Sequence, residues 1–320
     1  MFLNPEILSI VILDIIFLVF ATIAFYLSVK IYFKWDFNST SNQQYQLEKQ
    51  SFLGAVIIKY ILFLKLPLFL FFIFTLDKLS NVIVGAMCGA GVINAVSFGM
   101  SLFILKITNL FLFGYWLIIH YGDLKHQNLE FTRLKFGYFI FVYIFFVAEI
   151  IVELLMFNSI DISKMVSCCG TLYSNSSSSS ISVLFQIDPH IFVYIFYIVY
   201  GLNIVFYILK SHQLFAITNI LFLVIAIISL IIFFSPYIYE LPTHHCPFCI
   251  LQGDYYYIGY ILYISLYLGT FFGSSTTITK LLGENSYKNF HISIIFTTIY
   301  VLIVTIYPLV YFVKNGVWLN

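Results

Sequence analysis

The sequence predicts an all-α, polytopic helical membrane protein with about eight transmembrane helices, and three observations carry that expectation. Of the 320 residues, 62% are hydrophobic and only 9% charged, and mean hydropathy is +1.00, a balance foreign to water-soluble domains. Apolar runs of about 20 residues recur along the whole chain, each long enough to cross roughly 30 Å of hydrocarbon as a helix with its backbone groups paired internally. Lysine and arginine are also concentrated in alternate loops, as the positive-inside rule requires.

In chain order the apolar runs lie at about 7–33, 52–76, 92–119, 137–158, 190–210, 214–235, 256–276 and 291–313. The first reads as a retained helix, because Met1–Pro5 has no basic n-region and no small-residue cleavage site follows the apolar run. A glycine-rich stretch, Val84–Asn94, precedes the third run. It reads either as a re-entrant or interfacial turn or as small-x-x-x-small packing through Gly85 and Gly89. Serines at 176–180 mark 173–182 as a flexible linker between the fourth and fifth runs. No internal repeat and no long soluble insertion interrupts the pattern, so 1–320 is expected to form a single transmembrane helical domain.

Eight spans put both termini on one side of the membrane. Lys30, Lys34, Lys49, Lys125, Arg133, Lys135, Lys210, Lys280 and Lys288 fall in or beside one set of loops, and only Lys78, Lys164 and Lys314 in the other. Both termini are therefore expected outside, with external loops at about 77–92, 159–189 and 236–255. In a bacterium that arrangement means the inner membrane with these loops on the periplasmic side. The net charge of +1 gives no basic surface for nucleic acid. No G-x-x-x-x-G-K-[ST] pattern occurs, so nucleotide-driven transport is disfavoured.

All five cysteines, Cys88, Cys168, Cys169, Cys246 and Cys249, lie in or beside those external loops. The strongest motif is Leu241-Pro-Thr-His-His-Cys-Pro-Phe-Cys-Ile-Leu-Gln252. Two thiols at C-x-x-C spacing can close a small disulfide ring, bind a metal, or staple a loop in an oxidising compartment. Cys168 and Cys169 are neighbours in a loop, suited to labile exchange, because a ring closed between adjacent cysteines is strained. Cys88 sits in the glycine-rich stretch, where small side chains permit close backbone approach. His244 and His245 with Cys246 and Cys249, joined by His190, make an alternative soft-donor set for Cu(I) or zinc.

From Cys246 to Gln252 the motif resembles the periplasmic C-x-x-C of disulfide bond formation protein B and its quinone-linked relatives. In that family a Gln-Arg or Glu-Arg pair near the quinone follows the second cysteine. Here Gln252 is followed by Gly253 and Asp254, so the cationic quinone contact has no counterpart, and the family's four-helix core is much smaller than this chain. The resemblance implies quinone as electron acceptor, with Gln252 beside it. The cysteines lead to the expectation of a membrane-embedded thiol–disulfide redox protein, a quinone-linked oxidoreductase that takes electrons from an external dithiol protein through Cys168/Cys169 to Cys246/Cys249, with Cys88 as a further candidate thiol.

Two other functions stay open on the sequence. One is a non-enzymatic Cu(I)- or zinc-binding membrane protein that exchanges metal with a metallochaperone or transports it. The other is an accessory subunit of a membrane complex, with structural disulfides. Ionisable residues inside the spans form a second group. Asp14, Glu149 and Glu153 are expected to turn away from lipid and meet Lys65 and Lys106, since unpaired charge in hydrocarbon is costly. Glu149 and Glu153 share a helical face at i,i+4.

Overall fold

A computed structural model describes residues 4–36, 39, 41–126, 129–161 and 187–319. Eight helices in it are long and apolar enough to cross a membrane: α1 (Pro5–Lys34), α2 (Asn42–Ser80), α4 (Gly99–Asp123), α5 (Thr132–Ser159), α6 (Pro189–Ile208), α7 (His212–Tyr239), α8 (Ile258–Leu281) and α9 (Tyr287–Asn315). A short helix, α3 (Gly89–Asn94), lies between α2 and α4. No strand occurs among the described residues. The chain is a polytopic helical membrane protein. The serine-rich linker, Cys168 and Cys169 lie outside the described residues.

Helix ends follow local chemistry. The Asn4 side chain accepts hydrogen bonds from the backbone of Glu6 (3.0 Å) and Ile7, and Pro5 occupies the first turn, where no amide is needed. α2 begins ten residues before the expected apolar run, because Asn42–Gln50 continues the helix as a polar extension. The third span begins at Gly99 instead of near 92. Residues 81–88 form turns, and a Cβ on Gly99 would sit 1.9 Å from the Ile93 carbonyl oxygen, so only glycine fits where α4 starts against α3. α7 runs beyond the expected 214–235 through a π-helical segment at Leu230–Phe234, which admits Pro236 into its last turn.

The chain divides into two compact units. Unit 1 comprises residues 1–79, 92–162 and 281–284, and so contains α1, α2, α4 and α5. On α1 the buried residues Ile7, Ile10, Asp14, Phe17, Ala21, Ala24, Ser28 and Ile31 recur every three or four positions. Its other face exposes Ile12, Ile15, Val19 and Ile23, apolar side chains that belong in lipid. At one end of the unit Asp123 accepts from the Phe131 amide (3.0 Å), Thr132 Oγ1 (3.1 Å) and Lys135 Nζ (2.5 Å).

Unit 2 comprises residues 80–91, 163–280 and 285–320, with α6 to α9. A polar knot joins three of these helices to each other: Asn219 donates to Asn203 Oδ1 (2.7 Å), Thr218 donates to the same oxygen (3.0 Å), and Ser293 donates to Asn219 Oδ1 (3.2 Å). α8 contributes glycine. A Cβ on Gly273 would fall 2.2 Å from Asn219 Cγ, so the knot packs directly on the α8 backbone. Phe196, Phe222 and Tyr300 fill the space beside it, and Tyr300 donates its hydroxyl to the Ala226 carbonyl.

Candidate thiol and metal centre

Within unit 2 residues 84–91 of the glycine-rich stretch and the C-x-x-C loop fold against each other. The first of these is a tight reversal: Ala86 donates to the Ile83 carbonyl, Gly85 takes φ of 88°, and Gly91 donates to the Cys88 carbonyl at 2.9 Å. A Cβ on Gly91 would lie 2.9 Å from Ala86 Cβ, so the turn closes around Cys88 only because glycine is there. Gln252 Nε2 donates to the Met87 carbonyl at 3.1 Å and ties the two segments. That amide, expected beside a quinone, is committed to the turn next to Cys88.

The second segment is held from below. Tyr239, the last residue of α7, donates its hydroxyl to the Cys246 carbonyl, and Tyr263 of α8 donates to the Pro247 carbonyl. Cys249 opens a 3-10 turn over Cys249–Leu251, on which the start of α8 rests. A Cβ on Gly259 would meet the Ile250 carbonyl oxygen at 2.8 Å. His245 Nδ1 lies 3.0 Å from the Ile231 carbonyl in the π-helical segment. A carbonyl can only accept, so Nδ1 carries the proton.

These supports bring three thiols together. Sulfur atoms of Cys88, Cys246 and Cys249 all lie within 4.8 Å of one another. The contact between Cys88 and Cys246 is 3.4 Å, longer than a disulfide bond of about 2.05 Å. The Phe248 amide donates to Cys246 Sγ at 3.4 Å. Burial is nearly complete, with Cys88 and Cys246 at 0% exposure and Cys249 at 6%.

The histidines are placed unequally. His244 Nε2 is buried without a hydrogen-bond partner, its ring is edge-on to Tyr239 at 4.3 Å, and Cys88 is among the groups that act on it electrostatically. Burial holds both the His244 and His245 imidazoles below the ordinary histidine range. Each is therefore neutral near pH 7, the state in which a ring nitrogen has a lone pair to offer. His190 sits exposed at the start of α6 against the Phe233 ring and is not in the three-thiol group.

The expected intramembrane charges meet inside unit 1. Lys65 Nζ lies 2.8 Å from Asp14 Oδ1 and 3.1 Å from Glu149 Oε1, and Lys106 Nζ lies 2.9 Å from Glu149 Oε1 and 2.8 Å from Glu153 Oε2. The Asp14 pair is an ion pair without hydrogen-bond geometry. Phe72 and Phe146 place ring faces 4.5 and 5.0 Å from Lys106 and Lys65. Asn109 escaped the sequence reading. It donates to Glu149 Oε2 and to the Phe145 carbonyl, and its only sequence signal was a polar residue one helical turn after Lys106.

No protein-family model, no curated protein and no solved structure matches this chain.

Proposed function

We propose that Cys88, Cys246 and Cys249 form a buried binding centre for Cu(I), and that the chain is a non-enzymatic membrane protein that handles this ion. The observation that carries the reading is the set of three sulfurs within 4.8 Å. Thiolates select soft cations. A three-coordinate ion with metal–sulfur bonds of about 2.3 Å needs sulfurs about 4 Å apart, so the 3.4 Å contact has only to open slightly. Zinc almost always takes four ligands in such sites, and here the group has three, with His244 outside it. Burial of all three thiols argues against exchange with a bulky external dithiol protein, since reactive cysteines are partly exposed.

The lysine distribution supports an orientation with both termini and the thiol centre on the external side, the periplasmic face if the membrane is a bacterial inner one. Copper would then reach the buried centre from a small thiol carrier, since the burial that excludes a bulky dithiol protein excludes direct hand-off from a protein as well.

A second reading is favoured by the 3.4 Å contact itself. On this reading Cys88 and Cys246 lose two electrons and two protons to a quinone, giving a disulfide and a quinol. One experiment separates the two. Full-length protein in lipid nanodiscs is titrated with Cu(I) against a soft competitor under reducing conditions, and in parallel is mixed with quinone and its thiols counted. One copper per chain, lost in Cys88→Ser and Cys246→Ser and kept in His190→Ala, supports the copper centre. Failure to retain copper, with stoichiometric disulfide formation by quinone, replaces it with the redox reading.

A further inference from the structure

We infer that Asp14 and Glu153 share one exchangeable proton, making unit 1 a proton-binding site within its membrane-spanning helices. The inference stands on unit 1 alone and does not depend on the thiol centre. It begins with a charge count. Asp14 from α1 and Glu149 and Glu153 from α5 face Lys65 from α2 and Lys106 from α4, and every one of the five is at most 5% exposed. Three carboxylates against two ammonium groups leave one negative charge unbalanced. In a low-dielectric interior such a charge is neutralised by a proton or by a bound cation.

Hydrogen bonding says where that neutralising charge sits. Both oxygens of Glu149 are engaged, Oε1 by Lys65 and Lys106 and Oε2 by Asn109. Glu153 Oε1 and both oxygens of Asp14 are buried with no hydrogen-bond partner, although Asp14 Oδ1 is ion-paired with Lys65, and Asn109 Oδ1 has none either. Four acceptors without a hydrogen bond at one fully buried place are what a missing donor leaves behind. A protonated carboxyl supplies that donor, and the carboxylate oxygens of Asp14, Glu149 and Glu153 lie within 4.8 Å of one another. Asn109, itself 0% exposed, offers its carbonyl as a further acceptor.

A metal cation fits less well. Two ammonium groups already stand 2.8–3.1 Å from these carboxylates and repel a further ion, whereas a proton is held covalently and takes no space. The cavity against Lys65, Phe69, Lys106, Phe113 and Glu149 has a volume of about 10 Å³, the lower limit for a single water. A hydrated ion has no room there.

Infrared spectroscopy of the full-length protein in lipid nanodiscs tests the inference. At neutral pH the wild type should show one protonated-carboxyl carbonyl band that shifts down in D2O. Asp14→Asn, Glu149→Gln and Glu153→Gln each equalise the charges at two and two, and each should abolish the band. Lys106→Met leaves three acids with one lysine and should double it. If Lys106→Met does not fold, the three near-isosteric amide variants decide the matter alone. A wild type without the band, or a band that persists in all three amide variants, overturns the inference. So does a band that appears only when sodium is withdrawn, which assigns the site to Na+.

Discussion

Removing Lys106 should destabilise unit 1 far more than removing Glu153, and removing both should be milder than removing Lys106 alone. Lys106 Nζ sits 2.9 Å from Glu149 and 2.8 Å from Glu153. Methionine keeps the stem and deletes the charge, leaving three carboxylates against Lys65 alone. Deleting one partner of a buried ion pair costs about 3–5 kcal/mol, most of it the burden of the charge left behind. Glu153→Gln deletes one charge-assisted contact but brings the cluster to two and two, so a cost of about 1 kcal/mol is expected. The double variant has two acids and one lysine, the same excess of one as the wild type. Its expected cost is about 2 kcal/mol, against about 5 kcal/mol if the two effects added, a coupling near the top of the range seen for contacting residues. Equilibrium unfolding in mixed micelles, read by the fluorescence of tryptophans that include the buried Trp116, measures all four corners of the cycle. Additive costs, or a cost below about 1 kcal/mol for Lys106→Met, would mean that Lys106 and Glu153 are not coupled through the charge balance of the cluster.

Gly273→Ala should cost about 1–3 kcal/mol in unit 2, because the new methyl meets Asn219 at 2.2 Å and the polar knot has no slack; a thermal unfolding curve checks it. Asp123→Asn should cost about 3 kcal/mol, since Lys135, 4% exposed, loses its carboxylate partner, and the same melting assay reads it. For sidedness, cysteine introduced at Tyr256, 93% exposed, should react with a membrane-impermeant thiol reagent in intact cells. Cysteine introduced at Leu281, 65% exposed and beside the basic loop, should react only after permeabilisation. The opposite pattern inverts the orientation.

The eight spans were legible because a run of about 20 apolar residues has few alternatives to a membrane helix. Their ends were not. Asn42–Gln50 is polar yet helical, and hydropathy is blind to a helix that continues into water. The start of α4 at Gly99 depends on a carbonyl of Ile93 approaching where no Cβ fits, a tertiary fact. The π-helical segment at Leu230–Phe234 left only Pro236 as a trace in the sequence.

The site was legible in outline. Lysine counting put Cys88 and the C-x-x-C pair at one face, and Cys88, Cys246 and Cys249 do meet. The sequence favoured pairing within C-x-x-C, whereas the 3.4 Å sulfur contact joins Cys88 to Cys246, across a sequence separation of 158 residues. That choice is made by the Gly85–Gly91 turn and by the Gln252 tie to Met87, neither of which local spacing encodes. His190 looked equivalent to His244 as a donor, yet it lies exposed at the start of α6 against Phe233 while His244 Nε2 is buried. Charge balance was likewise readable, since acids and lysines inside spans must meet. The role of Asn109 in dividing Glu149 from Glu153 required the geometry.

The most direct measurement of the central claim is copper-edge X-ray absorption on full-length protein loaded with one equivalent of Cu(I). A first shell of three sulfurs at about 2.3 Å is expected, reduced to two in Cys88→Ser. A shell dominated by nitrogen or oxygen, or a three-sulfur shell that survives Cys88→Ser unchanged, would contradict it.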